Sequence, residues 1–220
     1  MAKGINILKQ FAIGGCQLKV ASVEPLGAPG ALDDALKQLS HYRRDKAVRY
    51  RFDRGKWLSA GAGLLLDNML MERGLRERDM QYVVGEHGKP AFANCPQLHF
   101  SISHSGTLVA CAIASRPVGV DVQTIVAEVR PSLVNYIMSE QEIEQLDSLA
   151  SEDAKKMLFT QLWTLKECYV KATGTGLSHE FPSFRIAADV LVYPLSQLNP
   201  DATFTMRKLP GAVVSVAVLK

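Results

Sequence analysis

The chain has 220 residues, 47% of them hydrophobic, and a formal net charge of +3. This length allows one domain or two small ones, and the apolar content is sufficient for a buried core. The charge is too small to indicate nucleic-acid binding, because Lys and Arg are dense only at residues 43–56.

The four cysteines and the lengths of the apolar runs indicate the cellular compartment of the protein. Cys16, Cys95, Cys111 and Cys168 are scattered, with no CxxC pair and no histidine at metal-ligand spacing. They are typical of small buried residues in a reducing compartment. The first residues lack a signal-peptide pattern, and no apolar run approaches the roughly 18 residues of a membrane span. We therefore expect a cytoplasmic protein without membrane contact.

The first third predicts one strand followed by helices. Residues 17–23 alternate as a strand does, and apolar residues then recur at helical spacing from Leu32 to Leu39. Residues 42–56 are rich in cations and are either a solvated helix face or an anion-binding arm. They lead into a second helix with an apolar stripe at Leu58, Ala62, Leu65 and Met69.

After Gly74 the pattern changes to strands. Residues 82–84 are followed by a turn in which Gly88 would let the backbone approach a ligand and Pro90 would keep the Lys89 region extended. Residues 98–103 alternate, so Phe100 should face a core while Ser103 faces away. Residues 108–114 return as a strand, which predicts a hairpin.

Residues 118–123 place Asp121 among valines on a strand. Such an acid is either water-facing on an edge strand or paired with a cation, a metal or donors. Ser139 and Glu142 then match a capping box that opens a short helix.

The longest predicted helix spans residues 153–173, with Gly174 at its end. Leu158, Leu162 and Leu165 share its core face, whereas Glu167 and Lys171 lie on another sector. Alone, that pair could be a surface ion pair. Strands are predicted at residues 184–186, 203–206 and 213–219. The whole chain is α+β, with halves at residues 1–117 and 118–220.

Together, these stretches offer two kinds of functional side chain, namely oxygen ligands for a metal and cations or donors for phosphates. Asp121, Gln123 and Glu167 offer oxygen ligands, which suit Mg²⁺ completed by water and substrate phosphates. Lysines suit the phosphates themselves. The set could support phosphoryl-type transfer from a pyrophosphate donor. The candidate cations and donors are Lys89, His104, Lys166 and Lys171.

The sequence resembles the Sfp-type 4′-phosphopantetheinyl transferases. The resemblance covers roughly residues 88–184, and its Gly-Val-Asp and Trp-x-x-Lys-Glu-x-x-x-Lys elements are specific only in combination. The first third matches loosely. The matching stretches are residues 88–90 (GKP), 100–105 (FSISHS), 119–122 (GVDV), 136–139 (YIMS) with Glu142, and 163–172 (WTLKECYVKA) followed by Gly174, Gly176, Leu177 and Ser178.

This resemblance implies a pseudo-dimer of two similar α/β halves with the active site between them. It further implies Mg²⁺-dependent transfer of 4′-phosphopantetheine from coenzyme A to a serine of an apo acyl or peptidyl carrier protein. The products would be the holo carrier and adenosine 3′,5′-bisphosphate. The resemblance leaves open whether the carrier serves fatty-acid, polyketide, peptide or polyunsaturated-lipid synthesis. We expect a monomer.

Residue by residue, the resemblance implies three groups of site residues. Asp121 and Glu167 correspond to metal ligands, and Glu167, Lys166 and Lys171 to the catalytic set. The base is either Glu167 or a water on the metal. The expected coenzyme A contacts are Gly88, Lys89, Pro90, Ser103, His104 and Lys171, with Arg51, Arg54 or Arg49 at the 3′-phosphate.

One position departs from the family. Bacterial members often carry a third acid two residues after the aspartate, where this chain has Gln123. An amide oxygen or a water would have to fill that ligand position, and one negative charge fewer should weaken metal binding.

The sequence leaves two alternatives to this function. A non-catalytic homologue that binds coenzyme A or a carrier is prompted by Gln123. A serine hydrolase using Ser103 or Ser105 with His104 is disfavoured, because adjacent side chains on a strand end cannot readily pair and no G-x-S-x-G elbow occurs. The carrier surface is expected at residues 125–133 and the basic arm, with Arg130 as the test position.

Overall fold

The computed structural model describes residues 4–176 and 202–220 and divides the chain into two compact units. Unit 1 is Met1–Ser115 and unit 2 is Arg116–Lys220, so the division falls two residues before the predicted boundary. The assignment of coenzyme A contacts to the first half and of the metal site to the second stays a prediction. The strand expected at residues 184–186 lies outside the described residues.

Unit 1 is built on a four-stranded antiparallel sheet. Its strands are β1 (Asn6–Ile13), β2 (Cys16–Ser22), β5 (His99–Ser105) and β6 (Leu108–Ala114), in the order β1-β2-β6-β5. A separate hairpin joins β3 (Tyr82–Val84) to β4 (Pro90–Phe92). Strand β1 was not predicted. Its residues are mostly exposed, so no apolar face marks it in the sequence.

Three helices complete unit 1: α1 (Ala31–Gln38), α2 (His41–Val48) and α3 (Asp53–Met71). Short 3₁₀ helices at Glu24–Gly27 and Glu77–Asp79 connect elements. The long helix α3 contributes much of the core, in which Leu65, Leu66 and Met69 are inaccessible to solvent. Helix α2 lies partly in the cation-rich stretch, which has too few apolar residues to show a helical period in the sequence.

In the part of unit 2 that the structure describes, a three-stranded antiparallel sheet packs with three helices. The strands β7 (Val118–Thr124), β8 (Ala202–Leu209) and β9 (Ala212–Leu219) run in the order β7-β9-β8. The helices are α4 (Pro131–Ile137), α5 (Glu140–Asp147) and α6 (Glu152–Thr173). The predicted capping box at Ser139 and Glu142 is confirmed at the start of α5.

Helix α6 is fixed at both ends and along one face. The Ser151 hydroxyl accepts a hydrogen bond from the Ala154 amide, and Gly174 ends the helix in the left-handed region at φ 76°. Leu162 and Leu165 are fully buried, and each such side chain contributes about 1.5–3 kcal/mol. These contacts give α6 a defined rotation, with the face that carries Glu167 turned away from the leucines.

The mixed α/β character that was predicted is confirmed, whereas the pseudo-dimer stays a prediction. Cys16, Cys111 and Cys168 are buried as expected, and Cys95 is half-buried. No helix among residues 4–176 and 202–220 combines the length and apolar character needed to cross a bilayer.

Candidate active site

Helix α6 and strand β7 approach each other closely at Gly119. A Cβ atom built on Gly119 would lie 1.9 Å from the Cys168 carbonyl oxygen and 2.4 Å from the Ala172 amide nitrogen. Only a residue without a side chain fits there. Because alternate residues of a strand share a face, Asp121 and Gln123 face the same way as Gly119, toward α6.

Asp121, Lys171 and Glu167 form a cluster at this contact. The Lys171 Nζ donates to Asp121 Oδ1 at 2.6 Å and lies 3.9 Å from Glu167 Oε2. The Asp121 side chain is only 7% exposed, which excludes the water-facing interpretation of this acid. Glu167 and Lys171 are not a simple surface pair either, because a buried acid from the sheet shares the lysine.

The surroundings of Glu167 disfavour its charged form. Burial raises the pKa of this carboxyl above its ordinary value, and the negative charge of Asp121 raises it further. Lys171 and a hydrogen bond from Trp163 act in the opposite direction. Trp163 also packs edge-to-face on Phe159, with ring centroids 5.6 Å apart. A carboxylate with a raised pKa is better suited to accept a proton than an ordinary surface glutamate.

Gln123 is half-buried near the end of β7, where it pairs with Val213 in register. Its amide oxygen is a potential ligand, but it carries no charge. Among the described residues there is no group of three or more His, Cys, Asp or Glu side chains arranged to hold a metal ion. The acidic part of the cluster therefore consists of the two carboxylates of Asp121 and Glu167.

Lys166 neighbours Glu167 in the chain but has a different environment. Its side chain is fully buried, and its Nζ donates to the Ile137 carbonyl oxygen and to Glu142 Oε2, both at 2.7 Å. The same carboxylate oxygen accepts the Ser139 amide at 2.7 Å. Lys166 therefore ties α6 to the end of α4 and the start of α5. Its expected part in proton handling stays a prediction.

In unit 1, Lys89 lies on the loop of the β3–β4 hairpin. Gly88 adopts φ 82°, and the Gly85 amide donates to the Lys89 carbonyl oxygen at 2.9 Å. Pro90 begins β4. Burial lowers the pKa of Lys89 to about 8. His99 was not predicted as a site residue, yet burial and the charge of Lys89 both lower its pKa.

Arg54 lies close to the β5–β6 turn, because its Nε donates to the Gly106 carbonyl oxygen at 3.2 Å. On β5, Ser103 is 6% exposed and His104 is exposed. The guanidinium of Arg51 lies 5.4 Å from the ring centroid of Phe52, which is itself 72% exposed. The structure thus brings Arg54 to the strand pair that carries Ser103 and His104.

Gly119 is the positioning residue whose physical role the sequence did not reveal. It was identified only as part of a motif, although a glycine between two valines of a predicted strand is a recognisable signal of close backbone approach. The partner of Lys166 was also not predicted, because Glu142 was identified only as a helix-cap residue within a matching stretch.

Comparison with known proteins shows which family the chain resembles. The sequence model of the 4′-phosphopantetheinyl transferase superfamily matches residues 117–213, which include β7 and α6. A 4′-phosphopantetheinyl transferase of Bacillus subtilis is 30% identical over 166 residues, or 74% of this chain and 71% of that protein. The enzyme gsp of Aneurinibacillus migulanus is 32% identical, covering 79% and 73% of the two chains.

A shorter match involves Sfp of Bacillus subtilis strain 168. It is 34% identical over 113 residues, which span 51% of this chain and 49% of Sfp. The family model thus covers most of unit 2, and the longer matches, of 166 and 177 residues, exceed the length of that unit and therefore extend into unit 1. The chain belongs to the 4′-phosphopantetheinyl transferase family of enzymes.

Proposed function

We propose that this protein transfers the 4′-phosphopantetheine group of coenzyme A to a serine of an apo acyl or peptidyl carrier protein. The products are the holo carrier and adenosine 3′,5′-bisphosphate. The reaction forms a bond between the serine oxygen and the β-phosphorus of coenzyme A, and it breaks the bond from that phosphorus to the bridging oxygen.

The observation that carries this proposal is the cluster of Asp121, Glu167 and Lys171 across β7 and α6. Two carboxylates that contact one ammonium form an environment for a cation, and the lysine adds a donor for a phosphate oxygen. A pyrophosphate substrate needs both features, since its charge must be neutralised while its leaving oxygen is stabilised.

Mg²⁺ fits the donor set. Asp121 and Glu167 supply the hard carboxylate oxygens that this ion prefers, and Gln123 could supply a neutral amide oxygen from the same strand face. When bound, the ion would neutralise the pyrophosphate and make its phosphorus more electrophilic.

Three side chains of α6 have separate roles in the transfer step. Glu167 accepts the proton of the carrier serine as the serine oxygen attacks, and its place beside Asp121 and Lys171 supports that role. Lys171 donates to the oxygen that leaves with adenosine 3′,5′-bisphosphate. Lys166 belongs to the predicted catalytic set, but its observed contacts favour a part in holding α6, and thereby Glu167, in place.

Coenzyme A is proposed to contact residues of unit 1. Lys89, presented by Gly88 and Pro90 on the hairpin loop, pairs with a phosphate. Arg54, with Arg51 or Arg49, holds the 3′-phosphate, and Ser103 and His104 contact the same substrate. The hydrogen bond of Arg54 to Gly106 supports this grouping, because it draws the arginine to the β5–β6 turn.

The carrier is proposed to dock along residues 125–133 and the basic arm. Carrier proteins of this kind present acidic helices, so the charge of Arg130 is the relevant feature. Glu128 Oε2 lies 3.9 Å from Arg130 Nε, and both side chains are largely exposed, so this ion pair is weak. Reversal of charge in Arg130→Glu should raise the KM for the carrier, whereas an unchanged KM would contradict the docking site.

Substitution of the two acids tests the site. In a loading assay with coenzyme A, Mg²⁺ and an apo carrier, Glu167→Gln and Asp121→Ala should each lose about 10²-fold or more in rate. Glu152→Gln is the matched control, because Glu152 lies on the first turn of the same helix and is exposed. An unaltered rate in both site variants would overturn the assignment.

A non-catalytic homologue that binds coenzyme A or a carrier is the second candidate. Gln123 favours it, because the cluster then holds one acid fewer than many bacterial relatives. Such a binder would retain coenzyme A in a binding experiment but add no mass to any apo carrier.

A further inference from the structure

Lys171 lies on the same carboxylate that is proposed to hold the divalent cation. Its ammonium is 2.6 Å from Asp121 Oδ1 and 3.9 Å from Glu167 Oε2. An ammonium and a divalent cation repel each other and cannot share one carboxylate oxygen at contact distance. Lys171 and the cation are therefore alternatives at Asp121 Oδ1, and a cation on the second oxygen of that carboxylate would still be repelled by the ammonium.

The lysine is the most exposed member of this cluster. The Lys171 side chain is 31% exposed, compared with 7% for Asp121 and 16% for Glu167. Asp121 is fixed on a strand that pairs with Ser215 of β9, and Glu167 is on a helix held by its buried face. The flexible four-carbon stem of Lys171 can move its charge to another anion, while the carboxylates keep their positions.

Because Gln123 is neutral, the charge of Lys171 has a larger effect on the net charge of the metal site. With only two carboxylates in the cluster, the positive charge of Lys171 cancels half of their negative charge. A site with a third acid would retain more net negative charge in the presence of the same lysine. Metal binding should consequently depend on where the Lys171 ammonium lies.

We propose that Lys171 competes with the divalent cation for Asp121, and that the diphosphate of coenzyme A draws the lysine away. Binding of the metal is then strong only together with coenzyme A. This inference rests on the proposed function, since coenzyme A is the diphosphate that it names. Before coenzyme A binds, the Lys171 ammonium pairs with Asp121. After coenzyme A binds, the same ammonium donates to the leaving phosphate.

Binding of Mn²⁺, measured by the electron paramagnetic resonance of the free ion, tests the competition without any turnover. In the absence of coenzyme A, Lys171→Met should bind Mn²⁺ about tenfold or more tightly than the wild type. Lys171→Gln should change in the same direction, whereas Lys171→Arg, which keeps the charge, should not gain affinity. Lys155→Met is the matched control, because Lys155 pairs with Glu152 on the same helix.

Addition of coenzyme A supplies the second part of the test. Wild-type affinity for Mn²⁺ should rise by a larger factor than that of Lys171→Met, because only the wild type has a lysine to remove. In the Lys171→Met background, Asp121→Asn should abolish the gain, which locates the bound ion at this cluster. Equal or weaker Mn²⁺ binding by Lys171→Met, or a gain that survives Asp121→Asn, would overturn the inference.

The inference and the proposed function can fail separately. If the wild type loads an apo carrier but Lys171→Met binds Mn²⁺ no better, only the competition is wrong. If the wild type loads no carrier, the proposed function is wrong, and the comparison of Mn²⁺ affinities still decides whether Lys171 competes for Asp121.

Discussion

The missing side chain of Gly119 leaves room for the carbonyl oxygen of Cys168, which would lie 1.9 Å from any Cβ atom at that position. This contact sets the spacing between β7 and α6. It therefore determines whether Asp121 on the strand can reach Lys171 on the helix. The glycine of the Gly-Val-Asp motif has a positional role in the same site as the aspartate.

Gly119→Ala should displace α6 from β7. The clash involves backbone atoms of Cys168 and Ala172, so no side-chain rotation can relieve it. We expect a loss of stability of about 1–3 kcal/mol in urea unfolding, together with a large loss of carrier loading. Gly85→Ala is the control for stability, because among residues 4–176 and 202–220 its Cβ would meet just the Lys89 carbonyl oxygen, at an ordinary contact distance of 3.5 Å. Loading at the wild-type rate by Gly119→Ala would contradict the positional role.

The Lys166–Glu142 pair can be examined by a double-mutant cycle. Both side chains are buried, so Lys166→Met or Glu142→Gln alone should destabilise the fold by about 3–5 kcal/mol. The double variant should recover a large part of this loss, because neither change then leaves an unpaired charge.

The loading rate of the same double variant separates two roles of Lys166. If the lysine holds α6 in place, a folded double variant should keep most of the wild-type rate. A folded double variant without activity would instead support direct participation of Lys166 in the chemistry.

Strongly patterned elements were predictable, whereas their mutual contacts were not. The capping box at Ser139 and the left-handed Gly174 follow from local sequence, and both are confirmed. Strand β1 lacks an apolar period and was not predicted, whereas helix α2 was anticipated only as one of two interpretations of the cation-rich stretch. The motif identified Asp121 and Lys171, but only the packing at Gly119 explains why two residues 50 positions apart meet.

The raised pKa of Glu167 predicts a stability change when its charge is removed. In the native state this carboxyl holds its proton more tightly than in the unfolded chain. The wild type should therefore lose stability as pH rises from the ordinary glutamate value through the raised native value. Glu167→Gln has no such titration. Urea unfolding in EDTA should show the variant to be more stable than the wild type near neutral pH.

The stability gain of Glu167→Gln should vanish at a pH below both the native and the unfolded pKa of Glu167. There the wild-type carboxyl is protonated in the native and the unfolded state alike. A variant that is less stable than the wild type by the same amount at both pH values would contradict the prediction. Glu152→Gln again serves as the control, because that glutamate is exposed.

The lowered pKa of Lys89 predicts weaker binding of coenzyme A in mild alkali. With a pKa of about 8, this lysine is mostly charged near neutral pH and mostly neutral a unit above its pKa. Calorimetric titration should show coenzyme A affinity falling by up to about tenfold between about pH 7 and pH 9. Lys89→Arg should largely remove this pH dependence, because arginine stays charged. An equal decline in both proteins would exclude Lys89 as the titrating group.

Mass spectrometry of apo carrier proteins incubated with coenzyme A and Mg²⁺ is the most direct test of the central claim. A panel of purified acyl and peptidyl carriers would also identify the preferred partner. We predict a mass gain equal to one phosphopantetheine group on at least one carrier, lost in Asp121→Ala and kept in Glu152→Gln. No gain on any carrier, with coenzyme A still bound by the protein, would contradict the transferase account and support a binding function.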